Sequence, residues 1–247
     1  MQVIVITGGS RGIGAAAARA CADRGMGIIL TYNSQREAAE AVVAEVEARG
    51  VRGVALPLDV ADTASFGAFR EAVATSLRAA WNGVALHGLV NNAGFGLYNP
   101  LDAVTEAQFD GLFSVHLKGP FFLTQALLPL IGEGGAIVNL TSATTRVATA
   151  GVAPYASFKG GLEVLTRYMA KEFGPRRVRA NAVSPGAIRT DLGGGLTDEF
   201  EALLASQTAL GRVGEADEVG RVIASLLADD LGWVNGQSLE VGGGYCL

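Results

Sequence analysis

The chain has 247 residues, 49% hydrophobic and only 17% charged, which supports a large buried core and excludes a disordered polyelectrolyte. Its net charge of −5, with Lys and Arg scattered, excludes the basic face that nucleic-acid binding requires. The two cysteines, Cys21 and Cys246, fit no CxxC or Cys/His pattern, so no metal site is expected and both are read as free thiols in a reducing cytoplasm.

In chain order, the β-branched run Val3–Ile6 predicts a strand buried on both faces. No leader-like pattern precedes it, and no apolar run has the length of a membrane span, so neither secretion nor a membrane partner is expected. A glycine turn leads to an Ala-rich helix over 13–23 and a strand over 27–32. Ser34 is placed to cap a helix running to about residue 49, with Gly50 as its stop. A strand over 54–58 follows, then a helix capped by Asp62, then a strand over 86–91.

The pattern next predicts one long helix over 105–131, kinked by Gly119-Pro120 because proline removes a backbone donor. A strand over 136–140, a helix over 154–173 and a strand over 178–183 come after it. A loop with a short helix spans 186–210, and the last elements are a helix over 215–228 and a strand over 238–241. No linker or repeat interrupts the series. Residues 1–247 therefore read as one Rossmann-type, doubly wound α/β domain: a parallel sheet with helices on both faces and ligands at the carboxyl ends of its strands.

The first strand runs into Thr7-Gly8-Gly9-Ser10-Arg11-Gly12-Ile13-Gly14 and then a helix. Gly8, Gly12 and Gly14 allow a tight turn close to a pyrophosphate, and the helix start offers amide donors and the positive end of its dipole. Ser10, Arg11 and Ile13 complete the candidate phosphate loop. NAD-specific domains place an acid on the ribose about 20 residues on. Here the second strand ends Thr31-Tyr32-Asn33-Ser34, with no acid, while Arg11 stands near the position of a 2′-phosphate. A charge-assisted bond of that kind favours NADP(H) roughly tenfold to a hundredfold. Asn33 and Ser34 join the candidate cofactor-binding residues.

Tyr155 and Lys159 are four apart on one predicted helix, so phenol and ammonium can face the same cavity. A free phenol titrates near ~10, and a nearby cation can lower that by ~1–3 units, which suits a general acid at neutral pH. Ser142 lies thirteen residues earlier, at the end of a strand, where its hydroxyl can hold a carbonyl oxygen.

Taken together, the glycine loop, Asp59-Val60, Asn91-Asn92-Ala93-Gly94, Ser142, Tyr155 with Lys159, and Pro185-Gly186 with Thr190 resemble the short-chain dehydrogenase/reductase family over almost the whole chain. Ketoacyl-reductase-like and sugar-dehydrogenase-like members are the most similar. The resemblance implies that Tyr155 donates the proton, Ser142 holds the carbonyl, and Lys159 binds the nicotinamide ribose and lowers the tyrosine pKa. It implies further that Asp59 and Val60 flank the adenine and that Asn91, Ala93 and Gly94 line the cofactor cleft. Pro185, Gly186, Ile188 and Thr190 are expected on the nicotinamide side, and a homotetramer is expected.

The chain departs from the family pattern at His116, where many members carry an Asn whose main-chain carbonyl holds a water linked to the lysine. His116 keeps a carbonyl and is counted with the catalytic candidates. His87 stands where many members have Asp and is read as structural.

The pocket walls are expected from Phe95, Leu97, Tyr98, Val147, Val152, Ile188 and Leu192, with Arg146 as the one prominent charge and Gly193-Gly194-Gly195 as a lid hinge. They suit a small uncharged ketone or secondary alcohol. Three readings of function stand: an NADP(H)-dependent carbonyl reductase or alcohol dehydrogenase, a dinucleotide-binding regulator of the same fold without chemistry, and an epimerase or dehydratase using the same nucleotide site. A complete Ser142, Tyr155 and Lys159 set favours the first.

Overall fold

Every side chain of β1 (Val3–Ile6) is fully buried, as in a strand in the middle of a sheet covered on both faces. The computed structural model describes residues 1–247, the solvent exposure of Gly193 excepted. β1 pairs in parallel with β2 (Gly27–Tyr32) and, on its other side, with β4 (Leu86–Asn91). With β3 (Gly53–Pro57), β5 (Ile131–Leu140), β6 (Arg179–Pro185) and β9 (Ser238–Val241) they form one parallel sheet in the order β3-β2-β1-β4-β5-β6-β9. The order reverses between β1 and β4, which opens a crevice at their carboxyl ends.

Alternation along the strands builds two cores. Ile4 and Ile6 face α1 (Gly12–Ala22), α2 (Arg36–Glu47) and α8 (Ala216–Leu227), while Val3 and Val5 face α3 (Phe66–Trp81), α5 (Gly119–Leu127) and α6 (Ala153–Phe173). The expected doubly wound sheet with helices on both faces is what the chain forms.

The helix expected over 105–131 is divided. Thr105 and Gln108 form a reciprocal cap on α4 (Glu106–Phe113). A π-helical turn, Ser114–Lys118, follows, in which the Gly119 amide donates to the Ser114 carbonyl five residues back. α5 then runs with Pro120 in its first turn, where a missing N–H costs least. The irregularity is thus one extra residue in a turn rather than a simple proline kink. β5 also begins at Ile131 rather than Ala136, its first residue pairing Leu86 ahead of a register shift. Ser34 does not cap α2: the helix starts at Arg36 after Gln35, with no side-chain cap. Asp62 does cap, its carboxylate accepting from the Ala64 amide at the short 3₁₀ turn before α3.

The remaining segment carries β7 (Ile188–Arg189), the short helix α7 (Asp198–Ser206) and β8 (Gly214–Glu215), with β7 and β8 paired in a small separate sheet. Leu192–Gly194 form a 3₁₀ turn within the glycine stretch expected to hinge; the exposure of Gly193 there lies outside the described residues.

Candidate active site

The glycine loop is held by the neighbouring strand end. The Thr7 hydroxyl accepts from the amides of Asn92 and Ala93 at 2.9 and 3.0 Å. The Asn92 side-chain amide donates to the carbonyls of Thr7 and Gly8 at 2.8 and 3.0 Å. A Cβ on residue 14 would lie 2.2 Å from the Gly8 oxygen, so glycine is required where α1 crosses the loop. Arg11 gives α1 no side-chain cap and its first turn holds no acid, so the amides there stay available to an anion.

A cleft of about 440 Å³ opens at this switch point. Gly8, Ser10, Arg11, Gly12 and Ile13 line it, with Asn33, Ser34, Asp59 and Val60 beside them and Ala93 and Gly94 along the floor. His116, Ser142, Tyr155 and Lys159 line it too, as do Pro185, Gly186, Ile188 and Thr190, with Thr190 close to Gly12. Two expected cofactor residues fall outside the lining. Gly14 supports the loop from behind. Asn91 turns inward, its side-chain amide donating to Asn139 at 2.8 Å and Thr124 at 3.1 Å, within a buried network that continues to Thr166. Successive residues of a strand face opposite sides, so Asn92 lines the cleft and Asn91 ties β4 to β5. Tyr32, Gln35, Leu58, Thr141 and Asp191 also line the cleft and were not anticipated. Tyr32 and Gln35 bracket the Asn33-Ser34 pair; the others carry no pattern that marks them in advance.

The pocket walls differ from expectation. Phe95, Ile188 and Leu192 line the cleft, but Leu97, Tyr98, Val147 and Val152 do not. The Tyr98 ring is packed over Gly151, leaving no room for a Cβ there. Arg146 is withdrawn from the site: it pairs with Glu240 at 2.5 Å and donates to the carbonyls of Tyr245 and Cys246. His87 bonds the Leu227 carbonyl at 2.8 Å, a structural contact as read.

Ser142 follows β5, and Tyr155 lies in the first turn of α6. Thr144 orients the serine, its amide and hydroxyl both donating to the Ser142 oxygen at 3.2 and 2.9 Å. Burial pushes the Tyr155 phenol up, and a hydrogen bond with the Ser142 hydroxyl opposes that shift. Lys159 is buried, donates to the Leu140 carbonyl at 2.6 Å and sits 5.6 Å from the centroid of the Tyr155 ring. Burial pulls its pKa down to about 7, so the expected lowering of the phenol by a fully charged lysine is not seen: desolvation acts against both charged forms. His116 is held near 3, first by burial and then by Lys159, against its bond to the Phe95 carbonyl, and is neutral at physiological pH.

An uncapped helix start and a Ser–Tyr–Lys set that line one switch-point cleft fit a dinucleotide-dependent oxidoreductase site. A family model described as Enoyl-(Acyl carrier protein) reductase matches residues 8–246. An uncharacterized oxidoreductase of Methylorubrum extorquens is 36% identical over 98% of this chain and 97% of its own length. The 3-oxoacyl-(acyl-carrier-protein) reductase FabG of Staphylococcus aureus is 35% identical over 97% of this chain and 96% of its own. The solved structure of the landomycin C-6 ketoreductase LanV, with bound NADP and rabelomycin, superposes with a TM-score of 0.91 at 29% identity, covering 99% of this chain and 96% of that one. The chain belongs to the short-chain dehydrogenase/reductase family of oxidoreductases. None of its helices is long and apolar enough to cross a membrane.

Proposed function

We propose that the protein is an NADP(H)-dependent ketoreductase that reduces a small, uncharged, apolar ketone, or oxidises the matching secondary alcohol, with Tyr155 as general acid or base. The observation that carries this reading is the Ser142–Tyr155 pair in the same cleft that presents Arg11 and the uncapped α1 start. Similarity to a ketoreductase solved with NADP, and to a 3-oxoacyl reductase, supports it.

Arg11 would pair with the adenosine 2′-phosphate, and the amides opening α1 would hold the pyrophosphate. Bound NADPH supplies the hydride for the carbonyl carbon. Ser142 donates a hydrogen bond to the carbonyl oxygen, and Tyr155 transfers its phenolic proton to that oxygen as negative charge develops there. A proton returns to the phenolate from the Lys159 side, where the ammonium sits close to its own pKa. Once the proton has moved, the alcohol hydroxyl can donate a hydrogen bond back to the phenolate, which offsets part of its desolvation.

The apolar walls Phe95 and Leu192 are partly exposed to the cleft, and Arg146 is withdrawn from it. These features suit an uncharged ketone. The protein acts in the cytoplasm as a homotetramer, its exposed Phe109, Phe113, Phe121 and Tyr168 on α4, α5 and α6 meeting other subunits. Loss of NADPH absorbance across a panel of aryl, cyclic and aliphatic ketones tests the activity; a purified protein that oxidises NADPH with none of them would refute it.

A further inference from the structure

The His116 side chain is 1% exposed and touches three parts of the site. Its Nε2 is 2.9 Å from the Phe95 carbonyl oxygen; its ring meets the Tyr155 ring edge-on with centroids 5.0 Å apart; the Phe95 ring is 5.5 Å away. A carbonyl only accepts, so Nε2 carries the proton and Nδ1 the lone pair. Nδ1 is buried without a hydrogen-bond partner among the described residues. The seat depends on Gly94, because a Cβ there would fall 2.8 Å from His116 Cε1.

Residues 95–98 follow β4 as a loop with no regular structure. Among the described residues, the bond from His116 to the Phe95 carbonyl is the one hydrogen bond that this stretch makes. Phe95 is also a wall of the cleft. The imidazole therefore joins a loop that contacts substrate to the ring of the proton donor.

We infer that the His116 side chain is a positioning residue that fixes the Phe95 wall relative to Tyr155 and so sets how an apolar ketone lies against the phenol. This role belongs to the imidazole and is separate from any role of the main-chain carbonyl. It rests on the ketoreductase reading for its effect on substrate, while the clamp itself can be tested without turnover. The titratable groups packed around the ring are Tyr155 and Lys159 of α6, and neither is a carboxylate that would hold a proton on Nδ1.

The chain has two histidines, His87 and His116, so ¹⁵N-histidine NMR resolves each, with H116F assigning the signal that disappears. The expected His116 spectrum is a neutral Nε2–H tautomer that does not titrate around ~6.5, where a free imidazole would. For kinetics, H116F keeps an aromatic ring and loses the donor to Phe95, whereas H116Q restores a donor at the same reach. With a bulky aryl ketone, KM should rise about threefold to tenfold in H116F, more than kcat falls, and H116Q should recover part of the loss. An Nδ1–H tautomer, a titration near ~6.5, or an H116F enzyme with the parent KM would overturn the inference. If the parent turns over no ketone, the ketoreductase reading fails, and the tautomer still decides whether the clamp exists.

Discussion

The ammonium of Lys159 donates to the carbonyl of Leu140 at 2.6 Å, which fastens α6 to the strand end that also delivers Ser142. Burial brings this lysine to about 7, against 10.5 for an ordinary one. Between those values the unfolded chain binds more protons than the folded one, so stability rises with pH across that window. The cost of burying the charge is felt in full below about 7 and is relieved toward 10.5. In the cofactor-free protein, Tm should therefore climb more steeply between these limits than it does in Lys159→Met, which has nothing to titrate there. Thermal melts with parallel pH dependence for the two proteins would contradict this.

Tyr155→Phe removes one hydroxyl from a ring already wedged against His116. The variant should fold and bind NADPH, yet lose ~10²–10⁴-fold in kcat, the usual worth of a general acid. Retention of near-normal kcat would remove Tyr155 from the mechanism.

Arg11 is exposed and lines the cleft, on the loop proposed to receive the phosphates. NADPH should be preferred to NADH by kcat/KM, and Arg11→Ala should shrink the ratio roughly tenfold to a hundredfold by weakening NADPH alone. Equal kcat/KM for both cofactors in the parent enzyme would sink the assignment.

Tyr168 is 62% exposed and Phe109 45%, on helices that flank the site. Large apolar side chains in that number on one side of a protein mark an interface. Light scattering at micromolar concentration should return the mass of four chains. Replacing Phe109 and Tyr168 with Glu should lower that mass; a monomeric parent would rule the assembly out.

Much of the frame was legible because its signals are local. β2, β4 and β9 fall where the runs of apolar residues and their flanking turns place them, and α6 begins one residue earlier than expected. The Tyr155–Lys159 pairing follows from helix geometry alone. What escaped depends on partners distant in the chain. Arg146 looked like a pocket charge because Glu240, which holds it, lies 94 residues away. Asn91 and Asn92 are equivalent as letters, and only the direction of β4 at its last residue separates them. The early start of β5 was hidden by Gly132, Gly134 and Gly135, whose composition reads as a loop. The π turn was hidden because one added residue hardly disturbs the apolar pattern of the segment.

That added residue has a cost for sequence change. An α-helix advances ~100° per residue, so imposing ordinary winding on Ser114–Lys118 with all five residues kept would rotate α5 by about that angle relative to α4, a rotation that the wider π turn absorbs. Leu123 and Leu127 would leave the core beneath the sheet, and the exposed Phe121 and Phe122 would be carried toward other surroundings. A single-residue deletion at Val115, which removes the extra residue, should therefore keep Leu123 and Leu127 facing the core and cost less stability than a single-residue insertion there, and a deletion variant that melts below the insertion variant would contradict this. The π turn thus carries one residue more than an α-helix needs while holding α5 in register with the same core.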